Sequence, residues 1–598
     1  MPGKLKIYPM KTFTSEFGEK ISREHPLPEH PNPLFQRDSF VSLNGPWDFA
    51  ITKDARKTDD YKQKILVPFA PETSLSGVGI HIHAGDFMHY RKCFEVPDSY
   101  VGHDAILHLD AVDQICDVYF NGRFVAHHVS GYTPIAVHVS YLNKTNVVEV
   151  TAQDDTDSSI FPRGKQSNEP GGVWYTPTSG IWQSVWLENV PDDGYIKSIK
   201  LEPDFDKQEL KIEAEFVGNK AFANVEAYYH GQLVARGTFD PSGECVLDFN
   251  YSFYPWTPEE PNLYELVFTA GYDTVRSYFA MRKFTKVKIG DYYFFALNNK
   301  PYFLTGVLDQ GYWPESGMTP PSDAAILFDL QLLKKCGFNF VRKHATIEPM
   351  RWYSICDRLG LLVMQDFVNG GSRYSSFLIH TRPIFHFDIS DTDHKKLGRL
   401  IEESRNQFLS DMKSEIDRLQ NVSCLMGWTI FNEGWGQFDS ALMTEKLRAL
   451  DSSRLIDTAS GWYDKGCGDF DSDHIYFWTF LNLRNDHKRI LGLSEFGGYS
   501  LKVEHHDFSK RSFGYRYYGS FASYNSAVLR LYRRRIINNI KKQKLSLAVF
   551  TQLSDVEEEL NGLVTFDRKI VKINAGDMRA MNVLSQEIFA KTVAGLRS

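Results

Sequence analysis

From about residue 36 to 285 the chain alternates apolar and polar positions over short runs. Examples are Ile65-Leu66-Val67, Ile106-Leu107-His108-Leu109, Val118-Tyr119-Phe120, Val147-Val148-Glu149-Val150 and Ser184-Val185-Trp186-Leu187. Period-two alternation is what a half-buried β-strand requires. Gly, Asn, Asp and Pro punctuate the runs, and Asn121-Gly122 is a strong hairpin signal. Strands in succession without a helical period predict β-sandwiches. Pro191-Asp192-Asp193-Gly194 marks a break. After it, Leu210-Lys211-Ile212-Glu213-Ala214 and Val225-Glu226-Ala227-Tyr228 open a second set of strands that closes near Arg282. That span matches one immunoglobulin-like sandwich. Residues 1–35 are polar and dotted with Pro26, Pro28, Pro31 and Pro33, which predicts an extended arm.

Beyond 286 strand-like and helical runs alternate. Phe303-Leu304-Thr305-Gly306-Val307 reads as a strand. Asp323 to Cys336 reads as a helix, with Ile326, Leu327, Leu330 and Leu333 on one face, Ser322 as cap and Gly337 as stop. Phe338 to Arg342 is the next strand, Met350 to Leu359 the next helix, and Leu361 to Met364 the third strand. Further units fall at Leu425–Phe431, Leu455–Ser460, His474–Tyr476, Ile490–Glu495 and Ser546–Thr551. Eight strands separated by helices or loops predict a (β/α)₈ barrel over 286–598. Residues 370–398 are a long excursion after the third strand, expected to border the barrel mouth.

At 598 residues the chain is too long for one core. Hydrophobic content of 42% and charged content of 24% describe an ordinary globular protein. Aromatic content of 14% is high, which suits stacking on sugar rings as well as β-rich cores. A net charge of −8 argues against a nucleic-acid partner. The one basic run, Arg533-Arg534-Arg535, reads as a solvated helix face. Met1 to Lys20 carries no signal-peptide pattern, and no stretch is long enough for a membrane span. Seven cysteines lie scattered without metal-ligand spacing. The expectation is a cytoplasmic protein with free thiols, no metal site and no membrane partner.

Two apolar runs end in glutamate. Cys424 to Ile430 leads into Phe431-Asn432-Glu433-Gly434, and Arg489 to Leu493 leads into Ser494-Glu495-Phe496-Gly497. In a barrel, function collects at the C-terminal strand ends, and strands four and seven face each other across the mouth. One carboxyl as proton donor and one as nucleophile is what cleaving a glycosidic bond needs. A lone glutamate at a helix entry is more often a cap or ion-pair partner; two at facing strand ends are not.

The chain resembles glycoside hydrolase family 2 over nearly its whole length. Leu43-Asn44-Gly45-Pro46-Trp47, Val67-Pro68-Phe69, Tyr90-Arg91, Val118 to Gly122 and Ser179-Gly180-Ile181-Trp182-Gln183 echo the family's jelly-roll sugar-binding-like domain. Trp256-Thr257-Pro258, Asn262-Leu263-Tyr264 and Met281-Arg282-Lys283 echo its immunoglobulin-like domain. Gly337 to Arg342, Tyr353 to Gly360, Asn432-Glu433 and Ser494 to Gly497 echo its TIM barrel. The implied domains are an arm over 1–35, sandwiches over 36–190 and 191–285, and a catalytic barrel over 286–598.

The resemblance implies Glu433 as general acid/base, Glu495 as nucleophile and Asn432 as the contact to the sugar 2-hydroxyl. Arg342 would hold Glu495 ionised, and Tyr476 would hydrogen-bond it. Asp309, His344, Asp366, Trp462 and Trp478 are further candidates for substrate contact. No organic cofactor is implied. Some members use Mg²⁺ or Na⁺, for which no ligand cluster is visible in the sequence.

The chain departs from family patterns after strand eight. Bacterial β-glucuronidases carry Asn-x-Lys there, and the matching positions here hold Glu559 and Asn561. Phe550-Thr551-Gln552-Leu553 lacks the usual tryptophan, leaving Gln552 as a candidate hydroxyl contact. The expectation is a retaining exo-β-glycosidase on a neutral sugar, β-galactoside first, with β-glucuronidase or β-mannosidase as alternatives. An inverting hydrolase and a non-catalytic carbohydrate-binding protein are the competing classes. The partner is a carbohydrate, and a homo-oligomer is compatible with the sequence.

Overall fold

The computed structural model describes residues 13–56, 58–218, 223–375, 377–381, 388–476, 483 and 485–597. Two antiparallel sheets come first. One has four strands in the order Phe40–Ser42, Val185–Asn189, Ala105–Leu109, Ile135–Val139. The other has six, in the order Gln63–Val67, Gly45–Thr52, Phe87–Glu95, Thr145–Gln153, Ile115–Phe120, Arg123–Val129. Alternate residues of both sheets, among them Phe49, Tyr90, Val118 and Val150 from one and Leu107 and Leu187 from the other, form a shared apolar core. A second pair follows, of three and four antiparallel strands between Gly194 and Phe279, around Ile212, Val225, Leu266 and Phe268.

Arg37 ties the two pairs together. It is 4% exposed. Its guanidinium donates to both oxygens of Asp273 (2.8 and 2.9 Å) and to Glu188 (2.8 Å).

The barrel sheet runs through Leu304–Asp309, Phe340–Lys343, Leu362–Asp366, Leu425–Asn432, Leu455–Ser460, Phe470–Ile475, Ile490–Gly497 and Leu547–Thr551. These are strands one to eight. Strands one to five pair in parallel, six pairs with seven, seven with eight, and eight with one. Between five and six, single bonds replace a ladder: Asp469 N–H to Ile456 O (2.7 Å) and Gly461 N–H to Ser472 O (3.3 Å).

Every residue of strands four and seven is buried, as parallel strands covered on both faces require. Helix Asp323–Lys335 is capped by Ser322 Oγ accepting from Ala325 N–H, and helix Met350–Leu359 ends at left-handed Gly360. All seven cysteines are free. Among the described residues no helix is long and apolar enough to cross a membrane.

Candidate active site

Glu433 and Glu495 meet at the barrel mouth. Glu433 follows strand four with φ at 51°, a left-handed backbone that costs roughly 1–3 kcal/mol and persists where the surroundings enforce it. Its N–H is held by Ser460 O at 3.0 Å. Glu495 lies within strand seven. One oxygen of each glutamate and one ring nitrogen of His474 lie within 4.8 Å of one another. His474 bridges the pair: Nδ1 is 2.8 Å from Glu433 Oε1 and Nε2 is 3.6 Å from Glu495 Oε1.

Arg342, at strand two, organises the floor and is fully buried. It donates to Glu495 Oε1 (3.1 Å), to both oxygens of Asp366 (3.0 and 2.9 Å), to Asn432 Oδ1 (2.8 Å) and to Ser494 O (3.2 Å). Tyr476 donates a short hydrogen bond to Glu495 Oε2, and its hydroxyl lies 3.1 Å from Thr551 Oγ1. Burial alone would push the Glu495 carboxyl up. The charges of His474 and Arg342, with the Tyr476 hydroxyl, outweigh it and hold that carboxyl below its ordinary value. Burial and the Glu495 charge push the Tyr476 phenol up, so it stays a donor.

Burial pushes His344 down to about 4, leaving a neutral ring whose Nδ1–H faces Asp366 Oδ2 at 2.6 Å. Asn432 Nδ2 and Trp435 Nε1 are buried without a hydrogen-bond partner among the described residues. Such donors are rare in folded proteins and call for a ligand or water.

The remaining sequence candidates fall elsewhere. Asp309 is turned into a buried cluster, taking Lys343 Nζ at 3.0 Å and Gly311 N–H at 3.0 Å. Gln552 is occupied by Gln310 (2.8 Å) and Asn561 (2.8 Å). Trp462 is half-buried with its ring 6.2 Å from that of His474. Trp478 lies outside the described residues.

Three features carried no local signal. His474 sits in a polar strand, Phe470–Ile475, whose alternation hides its neighbours. Tyr515 stacks on Tyr476 at 3.8 Å and 3°. A loop of the first pair of sheets also reaches the mouth. There Gly164 N–H bonds Asn369 O (3.0 Å), and the Lys165 ammonium lies over the rings of Tyr175 (5.3 Å) and Trp435 (5.6 Å). Lys165 is 6% exposed and pairs with no carboxylate among the described residues. The same loop occupies the glutamates after strand eight. Tyr175 Oη donates to Glu559, Gly172 N–H to Glu558 (3.2 Å) and Thr176 N–H to Glu557 (2.9 Å).

The trio Glu433, His474 and Glu495 has the spacing of metal ligands. Mg²⁺ and Na⁺ do not fit it. Such hard cations want several free oxygens, whereas Glu495 is already bonded to Arg342 and Tyr476 and Glu433 to His474.

Residues 287–485 match the family model "Glycosyl hydrolases family 2, TIM barrel domain". A β-galactosidase of Thermoanaerobacter pseudethanolicus is 26% identical over 386 residues, covering 61% of this chain and 47% of its own length. The chain thus spans about half the length of that curated relative. The β-D-glucuronidase structure of Dictyoglomus thermophilum superposes with a TM-score of 0.71 at 17% identity, over 94% of this chain and 98% of that one. A family 2 β-galacturonidase of Eisenbergiella tayi, bound to galacturonate, gives 0.67 at 16% identity over 93% and 98%. The segment that matches the family 2 barrel model contains the strands that carry Arg342, Asp366 and Asn432, with Glu433 directly after the last of them.

Proposed function

We propose that the protein is a retaining exo-β-glycosidase. The observation that carries this is the Glu433–Glu495 pair, with one oxygen of each within 4.8 Å of the other. Direct attack on the anomeric carbon fits carboxyls about 5–5.5 Å apart, whereas a water held between them requires about 6.5–9.5 Å. Glu433 protonates the leaving oxygen while Glu495, kept ionised by Arg342, attacks and forms a glycosyl-enzyme. Glu433 then takes a proton from water, which displaces the sugar from Glu495. Asn432 Nδ2, buried without a partner, is the donor suited to the sugar 2-hydroxyl. Asn432→Ala is expected to lower kcat/KM about 100-fold on the natural glycoside, with a much smaller loss on its 2-deoxy analogue. Equal losses on both would remove the contact.

The two sandwiches are assigned as a jelly-roll sugar-binding-like domain over 36–190 and an immunoglobulin-like domain over 191–285, between an arm (1–35) and the catalytic barrel (286–598). A cytoplasmic location is consistent with seven free cysteines. The first choice of glycone is a neutral β-galactoside, supported by β-galactosidase relatives and by Glu559 and Asn561 standing at the Asn-x-Lys positions of the loop after strand eight.

One observation favours a second reading. Lys165 brings to the mouth an ammonium without a carboxylate partner among the described residues, where it would suit a uronate, and Glu557, Glu558 and Glu559 are bonded away into the 171–176 loop. Initial rates on nitrophenyl β-galactoside, β-glucoside, β-mannoside, β-glucuronide and β-galacturonide separate the two. A preference for galactoside supports the first reading and a preference for a uronide the second. A silent panel would favour a protein that only binds carbohydrate.

A further inference from the structure

The run Arg533-Arg534-Arg535 reads from sequence as a solvated face, and in the structure Arg533 and Arg534 are exposed and Arg535 is half-buried, with Arg534 and Arg535 at the rim of a cavity. Helix Phe521–Leu531 passes into a π turn, Tyr532–Ile536, and continues as Ile537–Gln543. In a π turn, residues four and five apart fall on one face, and such turns concentrate at functional sites. Arg530, Arg534 and Arg535 share that face and, with Arg516, line a cavity of about 460 Å³. The size is that of a small-molecule site.

No carboxylate pairs with any of the four guanidiniums among the described residues. No aspartate or glutamate exists outside the described residues to do so. Arg530 reaches only Ser526 Oγ (3.4 Å), and Arg516 lies over the rings of Tyr499 (6.0 Å) and Tyr518 (5.7 Å). Four unpaired like charges around one space, on a chain of net charge −8, repel one another. An anion bound among them offsets that repulsion. Guanidinium forks match carboxylate and sulfate oxygens two at a time.

Tyrosines supply the rest of the wall. Tyr499 and Tyr518 line it together with the stacked pair Tyr476 and Tyr515. Tyr476 also bonds Glu495, so the cavity shares a wall with the carboxylate pair. Aromatic faces beside guanidiniums suit a charged sugar ring better than a bare ion.

We propose that this cavity is a subsite for an acidic sugar unit, bearing a carboxylate or sulfate ester, on the leaving-group side of the scissile bond. The inference rests on the glycosidase reading, and binding to an inactive enzyme tests it separately. Full-length Glu495→Ala protein is titrated calorimetrically at low salt with a β-linked mannuronate trimer, the mannose trimer of the same linkage, and sodium sulfate. The acidic trimer is expected to bind at least about tenfold tighter than the neutral one. The double variant Arg530→Gln/Arg534→Gln is expected to abolish that advantage, and Arg530→Lys/Arg534→Lys to keep part of it, which a folding defect would not do. Equal affinity for both trimers, or an advantage that survives the glutamine variant, overturns the subsite. Sulfate binding as tightly as the acidic trimer overturns the saccharide assignment in favour of a free-anion site. Wild-type rates on the nitrophenyl panel report on the glycosidase reading independently: a silent panel with acid-selective binding would sink that reading and the leaving-group placement, and leave only an acidic-sugar site in the cavity.

Discussion

Glu495→Ala is expected to lower turnover of the preferred nitrophenyl glycoside by about 10⁴-fold or more, and Glu433→Ala to do the same for substrates with poor leaving groups. A factor of 10⁴ corresponds to about 5.4 kcal/mol of lost transition-state stabilisation, which a missing nucleophile readily accounts for. Azide distinguishes the two roles. In Glu495→Ala it enters the vacated face and gives a glycosyl azide of inverted configuration. In Glu433→Ala it captures the glycosyl-enzyme and gives the retained configuration. A 2-fluoro glycoside is expected to add its mass to Glu495 in the unaltered protein. Loss of the adduct together with an inverted hydrolysis product would move the protein to the inverting class. Unchanged turnover in Glu495→Ala would remove the nucleophile assignment altogether.

The parts of the fold that could be read from sequence are those with strong local patterns. Strands four and seven are continuous apolar runs because both faces are covered, and each ends abruptly in a polar tetrad, so their ends and their glutamates stood out. Strand six did not. The sequence suggested His474–Tyr476, whereas the strand starts at Phe470. Its polar residues are used internally, as where Ser472 Oγ donates to Asp457 at 2.7 Å, and it lacks a ladder to strand five. A strand satisfied by side chains on that side has no apolar run to announce it. His474 was missed for the same reason: its meaning comes from Glu433 and Glu495, which lie far from it in the chain. Lys165 and Tyr175 belong to another structural layer, and no periodicity links a loop of the first sheets to a barrel mouth. The π turn at Tyr532–Ile536 is equally silent, since one extra residue per turn leaves the helical pattern of its neighbours intact.

Arg342→Met is expected to be the most damaging change outside the glutamates, and its effects on rate and on stability have the same origin. The guanidinium is fully buried and donates to Glu495, Asp366, Asn432 and Ser494. Removing it leaves Asp366 and Glu495 buried without the guanidinium they share, and breaking a buried pair in this way costs about 3–5 kcal/mol. The rate effect follows from ionisation. Glu495 has a folded pKa held below its ordinary 4.5, so in the unaltered protein the nucleophile is lost only as pH falls beneath that value. The same depression stabilises the fold above pH 4.5, and that contribution disappears as pH falls through the folded pKa. Without Arg342, one of the main charges opposing burial is gone, and the Glu495 pKa rises. The acid limb of kcat/KM is then expected to move to higher pH, with a fall of about 100-fold or more at neutral pH because Glu495 and Asn432 also lose their positioning. Arg342→Lys retains the charge but not the fork, so it is expected to restore much of the acid limb and little of the rate. A pH profile unmoved in Arg342→Met would show that Glu495 is ionised without the guanidinium, and would reduce Arg342 to a structural ion-pair partner of Asp366.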